Sequence, residues 1–263
     1  MRRLALLPAL LLLAAGTAQA QPATPLKLSL GYDGRFYIKV LEMALEQEMD
    51  ADSFRTSTRI KTWGLGAIVK KLDQRASSTG RIEGARALPG TFWHQNFDGK
   101  RDRRVTTQWR AGEVTTVSAP AYDFWGDPPA SRAQKLGAAD PLTQFVRITR
   151  ASTAAGPCSG DTHFFDGKQL YDFDFARPRS GGEPSGREKD LGLVNPVVCE
   201  VQYREVAGFK KKPVEERSQG LKGAIQARFG QLGAGGPWLL SSLQAETKWG
   251  RAVIDLRRVK TSS

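Results

Sequence analysis

Ser53-Phe54-Arg55-Thr56-Ser57-Thr58-Arg59-Ile60-Lys61-Thr62 decides the fold class of this chain. Phe54, Thr56, Thr58, Ile60 and Thr62 alternate with charged or polar neighbours, which is the period of a strand and not of a helix. It predicts a strand with an exposed face, ending at Trp63-Gly64.

Upstream, Phe36, Ile38 and Val40 alternate with Tyr37 and Lys39. Leu41, Met43 and Leu45 then take over the apolar phase, as a bulge in one continuous strand would produce. Val40 to Met49 also contains good helix formers, and the strict alternation before it favours strand. Downstream, Leu65, Ile68, Val69 and Leu72 recur at helical spacing and predict a short helix. Ser77 to Glu83, Thr91 to Phe97, Lys100 to Trp109 and Glu113 to Ser118 follow as short segments rich in Thr, Val and aromatic residues, bounded by turns. Asp98-Gly99 and Asp166-Gly167 both lie between Phe and Lys and suit type I′ hairpin turns.

Asp140-Pro141 is a helix start: Asp caps the free amides, and Pro at the first position loses no hydrogen bond. Leu142, Phe145, Val146 and Thr149 define one face of that helix. Val197 to Val206, Ala224 to Gln231, Trp238 to Thr247 and Ala252 to Val259 return to strand. The expectation is a mainly β fold, a curved antiparallel sheet forming a barrel or half-barrel with one or two short helices. Pro178 to Arg187, rich in Gly, Pro and Ser, reads as a long surface loop.

The amino terminus carries Arg2 and Arg3, an apolar run from Leu4 to Ala15 and a small-residue close at Ala18-Gln19-Ala20, the pattern of a secretory signal peptide cut after Ala20. The run is short for a membrane span, and a retained anchor is the alternative. Residues 1–20 are therefore expected to be a leader and 21–263 one β-rich domain in a periplasmic setting. Cys158 and Cys199 are the only cysteines, and an oxidising compartment makes a bond between them the default, free thiols or a redox pair the alternative. Their spacing is not C-x-x-C.

The formal charge of +12 falls to +10 without Arg2 and Arg3. Short cationic clusters occur at Arg101, Arg103 and Arg104, at Lys210 to Lys212, and at Arg257 and Arg258. For an exported chain they suit an anionic envelope surface, with no nucleic acid as partner, or simply a solvated exterior.

No G-x-S-x-G elbow, phosphate-cradling loop or dinucleotide fingerprint is present. His94 and His163 stand in aromatic strands without a partner at metal-ligand spacing. Asp172 and Asp174 share one face of a strand, as a hydrolytic or calcium-binding pair or, the better fit, as a polar outer face alternating with Tyr171, Phe173 and Phe175. No catalytic residue, metal or cofactor is assigned, and the protein is expected not to be an enzyme. Trp63, Trp93, Trp109, Trp125, Trp238 and Trp249 either line an apolar cavity or fill a solid core.

Trp63-Gly64-Leu65, the strands flanking Asp98-Gly99-Lys100, Asp140-Pro141-Leu142-Thr143-Gln144-Phe145, the stretch Cys158 to Tyr171 with Phe165-Asp166-Gly167, and Cys199-Glu200-Val201-Gln202-Tyr203 ending at Ala207-Gly208-Phe209 form an ordered series. Over Leu28 to Phe209 the chain resembles the bacterial envelope family known as domain of unknown function 3108. That resemblance implies an exported β-rich fold without catalytic residues, similar to the open β-barrels of lipoprotein carriers. Strands beyond Lys212, at 220–260, either bind a partner or complete the sheet. The expected function is a binding module for an apolar or lipid-like ligand, and the alternative is an assembly factor that binds a protein partner.

Overall fold

The computed structural model describes residues 25–64, 67, 71–84, 86–97, 102–151, 156–159, 163–211, 223–247 and 250–262. Thirteen strands form one curved antiparallel sheet that does not close. They are β1 Leu26–Arg35, β2 Lys39–Met49, β3 Ser53–Thr62, β4 Asp73–Glu83, β5 Arg86–Asn96, β6 Arg104–Arg110, β7 Glu113–Ala119, β8 His163–Phe165, β9 Leu170–Ser180, β10 Leu193–Ala207, β11 Ile225–Leu232, β12 Trp238–Thr247 and β13 Gly250–Ser262. Three helices are inserted, α1 Arg132–Leu136, α2 Pro141–Thr149 and α3 Gly186–Asp190.

In space the order is β7-β6-β5-β4-β3-β2-β1-β13-β12-β11-β10-β9-β8. Two meanders thus meet where β1 pairs antiparallel with β13, Leu28 opposite Thr261 and Arg35 opposite Val253. The strands beyond Lys212 lie inside the sheet, between β10 and β1.

Because each strand reverses direction, turns alternate between two ends of the sheet. Residues 36–38, the segment after Trp63, the exit from β7 and the β8–β9 turn lie at the first end. Residues 50–52, Gly84, Ala111-Gly112, 181–185 and 233–236 lie at the second.

The sheet curls until its edges overlap without a ladder between them. Phe165 and Leu170 pack with Trp109 and Val114 of β6–β7, and the Trp109 and Phe165 rings meet edge to face at 6.4 Å. Phe173 and Phe175, on the opposite face of β9, pack with Ile148, Ala151 and Cys158 around the buried cluster of Cys199, Val201, Phe229 and Trp238. β9 is therefore covered on both sides.

Helix α2 lies inside the curl, because its apolar stripe meets the inward rows of both meanders. Leu142 and Val146 join Leu28, Leu30, Leu45, Phe54, Phe92 and Leu256 in the main core. Thr149 is also buried and Phe145 partly so, so the helix face read from sequence is the one that packs. A polar seam sets its direction. Gln47, Thr56 and Ser78 are register neighbours on β2, β3 and β4. Ser78 Oγ donates to Asp140 Oδ2 at 2.9 Å, and Thr149 Oγ1 donates to Gln47 Oε1 at 3.1 Å. Asp140 caps the helix, accepting from the amides of Leu142 and Thr143. Burial raises its carboxyl above the usual carboxylate range, against the hydrogen bonds of Thr143, Ser78 and Leu142. Asp140→Ala is expected to cost about 2 kcal/mol, the upper range for a cap, since a buried acceptor is lost as well. Urea unfolding measures it, and an unchanged midpoint would show that the seam does not hold the helix.

Several sequence expectations change here. The segment from Phe36 to Leu45 is not all strand, since 36–38 form the exposed tip of the β1–β2 hairpin; the register, with Gly34 opposite Leu41 and Arg35 opposite Lys39, leaves Val40 as the bulge that the phase change predicts. The alternating face of β3 is inward at its start, with Phe54 and Thr56 buried. The predicted loop 178–187 shrinks to 181–185, since β9 runs through Ser180 and Ser185 caps α3. Asp166-Gly167 does turn a hairpin, but over four residues: Asp166 Oδ1 accepts from the amides of Lys168 and Gln169, and only Gly167 has positive φ. The leader, most of the predicted 65–72 helix and Asp98-Gly99 lie outside the described residues.

Candidate functional site

The main concavity opens at the second end of the sheet, with a volume of about 680 Å³. That size falls within the range of ~300–1,000 Å³ usual for small-molecule sites. Leu88 and Pro89 of β5, Trp109 of β6, Ile148 of α2, Phe164 of β8 and Phe175 of β9 supply apolar walls. Leu88 and Pro89 are consecutive on β5, opposite Arg81 and Gly80, and so point to opposite faces; the concavity draws on both sides of the sheet where its edges overlap beside α2. Trp109 is fixed by its indole N–H, which donates to the carbonyl of Lys135 at 3.3 Å.

Five arginines surround those walls: Arg81, Arg86, Arg110, Arg147 and Arg150. They reach it by different routes. Arg86 begins β5 and Arg110 ends β6, each beside a tight turn at this end, while Arg147 and Arg150 are three apart on α2 and so share a face. Arg147 Nε donates to the carbonyl of Ala87 at 2.9 Å. Arg150 reaches the carbonyl of Gly84 at 3.2 Å, yet its Nε is buried without a hydrogen-bond partner. Arg81 pairs with Glu83 at 3.2 Å, and Glu113 is the acidic residue of the lining. A floor of rings and aliphatic groups under several guanidinium groups matches an amphiphile with an anionic head.

The residues singled out from sequence are mostly elsewhere. His163 Nδ1 lies 2.7 Å from Asp172 Oδ1, and Arg204 bonds the other oxygen of Asp172 at 2.5 Å. Asp172 is buried between them, so its strand face is not the solvated one expected. Asp174 stands 4.0 Å from Arg204. His94 Nε2 contacts the carbonyl of Asp166 at 3.1 Å; burial lowers its pKa, partly opposed by Asp166. Among the described residues no group of three or more His, Cys, Asp or Glu is placed to hold a metal ion.

Of the tryptophans, Trp109 alone among the described residues lines the cleft. Trp238 is core, and Trp63 and Trp125 are exposed. Trp93 carries the Arg104 guanidinium over its ring at 4.6 Å. Trp249 lies outside the described residues. Cys158 and Cys199 form a disulfide with Cα atoms 5.8 Å apart, which ties the cleft-lining Pro157 and Ser159 to β10. The five arginines were not evident as a group because no two of them are adjacent in sequence; the turn glycines beside Arg86 and Arg110 are the signal that marks their end of the sheet.

No family model matches the chain, so membership of domain of unknown function 3108 is not confirmed. No curated protein matches it either. Among solved structures, it is similar to the crystal structure of a beta-barrel-like protein of domain of unknown function 1849 from Brucella abortus, with 11% identity, a TM-score of 0.44, and coverage of 92% of this chain and 98% of that one.

Proposed function

We propose that this protein is an exported, non-enzymatic binding module of the cell envelope that holds an amphiphilic ligand in the cleft, apolar portion against Trp109, Ile148 and Phe164, anionic head among the arginines. The observation that carries it is the buried, unpartnered Arg150 Nε within a ring of guanidinium groups over an apolar floor. Export rests on the leader pattern and fits the disulfide. Amino-terminal sequencing of the exported protein should begin at Gln21, and a retained Met1 would count against it.

Native mass spectrometry of the natively exported protein, followed by solvent extraction, should reveal a stoichiometric anionic amphiphile. With dodecyl phosphate as probe, the double variant Arg86→Glu/Arg110→Glu is expected to bind roughly tenfold more weakly, the loss of about 1.4 kcal/mol of charge-assisted contact. Both residues are exposed, so its unfolding midpoint should not move. Equal affinities, or no binding by the parent, would remove this reading.

A second reading, a protein partner, is favoured by one feature. β7 is a sheet edge with no ladder on its outer side among the described residues, and Val117 on it is 71% exposed. Such an edge can accept a strand from a partner. Ser118→Pro, at a position whose N–H points away from β6 by the alternation that starts at the Arg110/Glu113 pair, should abolish capture of that partner without affecting dodecyl phosphate binding; capture that survives it would dismiss the edge.

A further inference from the structure

The two ends of the sheet differ in what their turns expose. At the second end the turns are built from Asp50, Ala51 and Asp52, Gly84, Ala111-Gly112, Gly181-Gly182-Glu183-Pro184 and Gly233-Ala234-Gly235-Gly236. At the first end, Phe36, Tyr37 and Ile38 form the β1–β2 tip, Trp63 follows β3, and Phe124 and Trp125 follow β7; all six are exposed, Tyr37 to 87%. Among the described residues only Leu136 and Val117 are exposed large apolar side chains away from these tips. Hydrophobic tips on three separate segments of the same end are a feature of that rim, since scattered surface residues would not sort by end.

The rim forms two arcs. In one, Trp63 carries the Lys39 ammonium at 5.1 Å over its ring, and Tyr37 lies so close to Gly250 that a Cβ there would stand 2.9 Å from its hydroxyl. In the other, Arg103 lies over Tyr122 at 4.3 Å, Lys168 over Tyr122 at 4.8 Å and near Phe124 at 5.9 Å. This arc is pinned to β10, because Asp127 N–H donates to Phe209 O at 2.9 Å and Gly208 N–H to Pro128 O at 2.8 Å. A Cβ at Gly126 would stand 2.2 Å from the Gly208 backbone. Lys39 is neutralised by Asp33 and Glu42. Arg103 instead donates to the carbonyls of Pro120 and Ala121, so its charge stays available, and it forms one cationic group with Lys168 and Lys210, with Asp166 beside Lys168.

We infer that the first-end rim docks peripherally on an anionic lipid bilayer, its apolar tips entering the headgroup region and Arg103, Lys168 and Lys210 meeting anionic heads. Tips spread over separate turns suit a broad, deformable plane and not a groove-filling partner. Trp and Tyr favour that interface because one end of each ring is apolar and the other polar. Penetration stops at the rim. The outward rows of β2 and β3 carry Glu42, Glu46, Glu48, Arg55, Arg59 and Lys61, whereas a membrane-spanning barrel needs an outward apolar band. The inference is independent of the cleft, which opens at the other end.

The test is cosedimentation of the natively exported protein with vesicles of phosphatidylcholine alone or mixed with phosphatidylglycerol, with tryptophan emission recorded. The parent should bind the anionic vesicles, more weakly as salt rises, with a blue shift. Tyr37→Ser/Ile38→Ser and Arg103→Glu/Lys168→Glu should each reduce binding about tenfold, whereas Arg86→Glu/Arg110→Glu should leave it unchanged. Absence of parent binding overturns the inference. So does equal binding by the rim variants, or a dimer in sedimentation velocity that Tyr37→Ser/Ile38→Ser dissolves, which would assign the tips to a second copy of the chain.

Discussion

Glu188→Gln is expected to destabilise the protein by about 3–5 kcal/mol, the usual cost of removing one partner of a buried ion pair. Glu188 is 1% exposed. It accepts from Arg228 Nε at 2.8 Å and Nη2 at 2.9 Å, from Ser241 Oγ at 2.7 Å, and from the amide of Ser185 at 2.8 Å in a capping box. The amide side chain keeps the shape and loses the charge, leaving the Arg228 guanidinium without its counter-ion. Burial by itself would raise the Glu188 carboxyl, but the bonds from Arg228, Ser241 and Ser185 outweigh it and hold the pKa at about 2, below its ordinary 4.5. A depressed carboxylate stabilises the fold while ionised. Its contribution is therefore complete above pH 4.5 and disappears as pH falls through about 2. Urea midpoints measured across that window should fall steeply for the parent and less for the variant. Parallel curves would show that Glu188 is not the group responsible.

Loss of the Cys158–Cys199 bond is the second large effect. The bond closes a loop of sequence separation 41, for which chain entropy gives about 4 kcal/mol. Cys199 is buried among Val201, Phe229 and Trp238, while Cys158 packs against that cluster from the segment after α2. The Cys158→Ser/Cys199→Ser protein should unfold at lower urea by that amount, and dithiothreitol should reproduce the shift in the parent alone. Dodecyl phosphate affinity should fall too, because Pro157 and Ser159 of the cleft wall are tied to the sheet through this bond. A midpoint within error of the parent would mean that packing alone holds the segment.

Much of the fold was legible because each feature involved is local. Asp140-Pro141 announces its helix through adjacent chemistry, and the alternation of β3 is visible because Phe54 and Thr56 turn inward together. The hairpin tip at 36–38 was misread because Phe36-Tyr37-Ile38-Lys39-Val40 alternates as a strand does; its exposure depends on what surrounds it. Asp172 offered the same difficulty. Its burial comes from His163 and Arg204, which arrive from neighbouring strands by register. The cleft was invisible for a related reason, since Arg81, Arg86, Arg110, Arg147 and Arg150 converge only when the sheet edges overlap around α2. Local propensity is written in adjacent residues, and long-range closure is not.

The pairing of β1 with β13 bears on how the molecule is made. Of these thirteen strands, the first to leave the ribosome must wait for the last before the sheet has its central ladder, so each meander can pair strand by strand but the two join only once β13 is made. Until then the inward rows of β1 and β2, with Leu28, Leu30, Tyr32 and Leu45, lack their cover, and the open edge of β1 offers itself to any extended segment. Chains stopped short of β13 should therefore aggregate more readily than chains that include it.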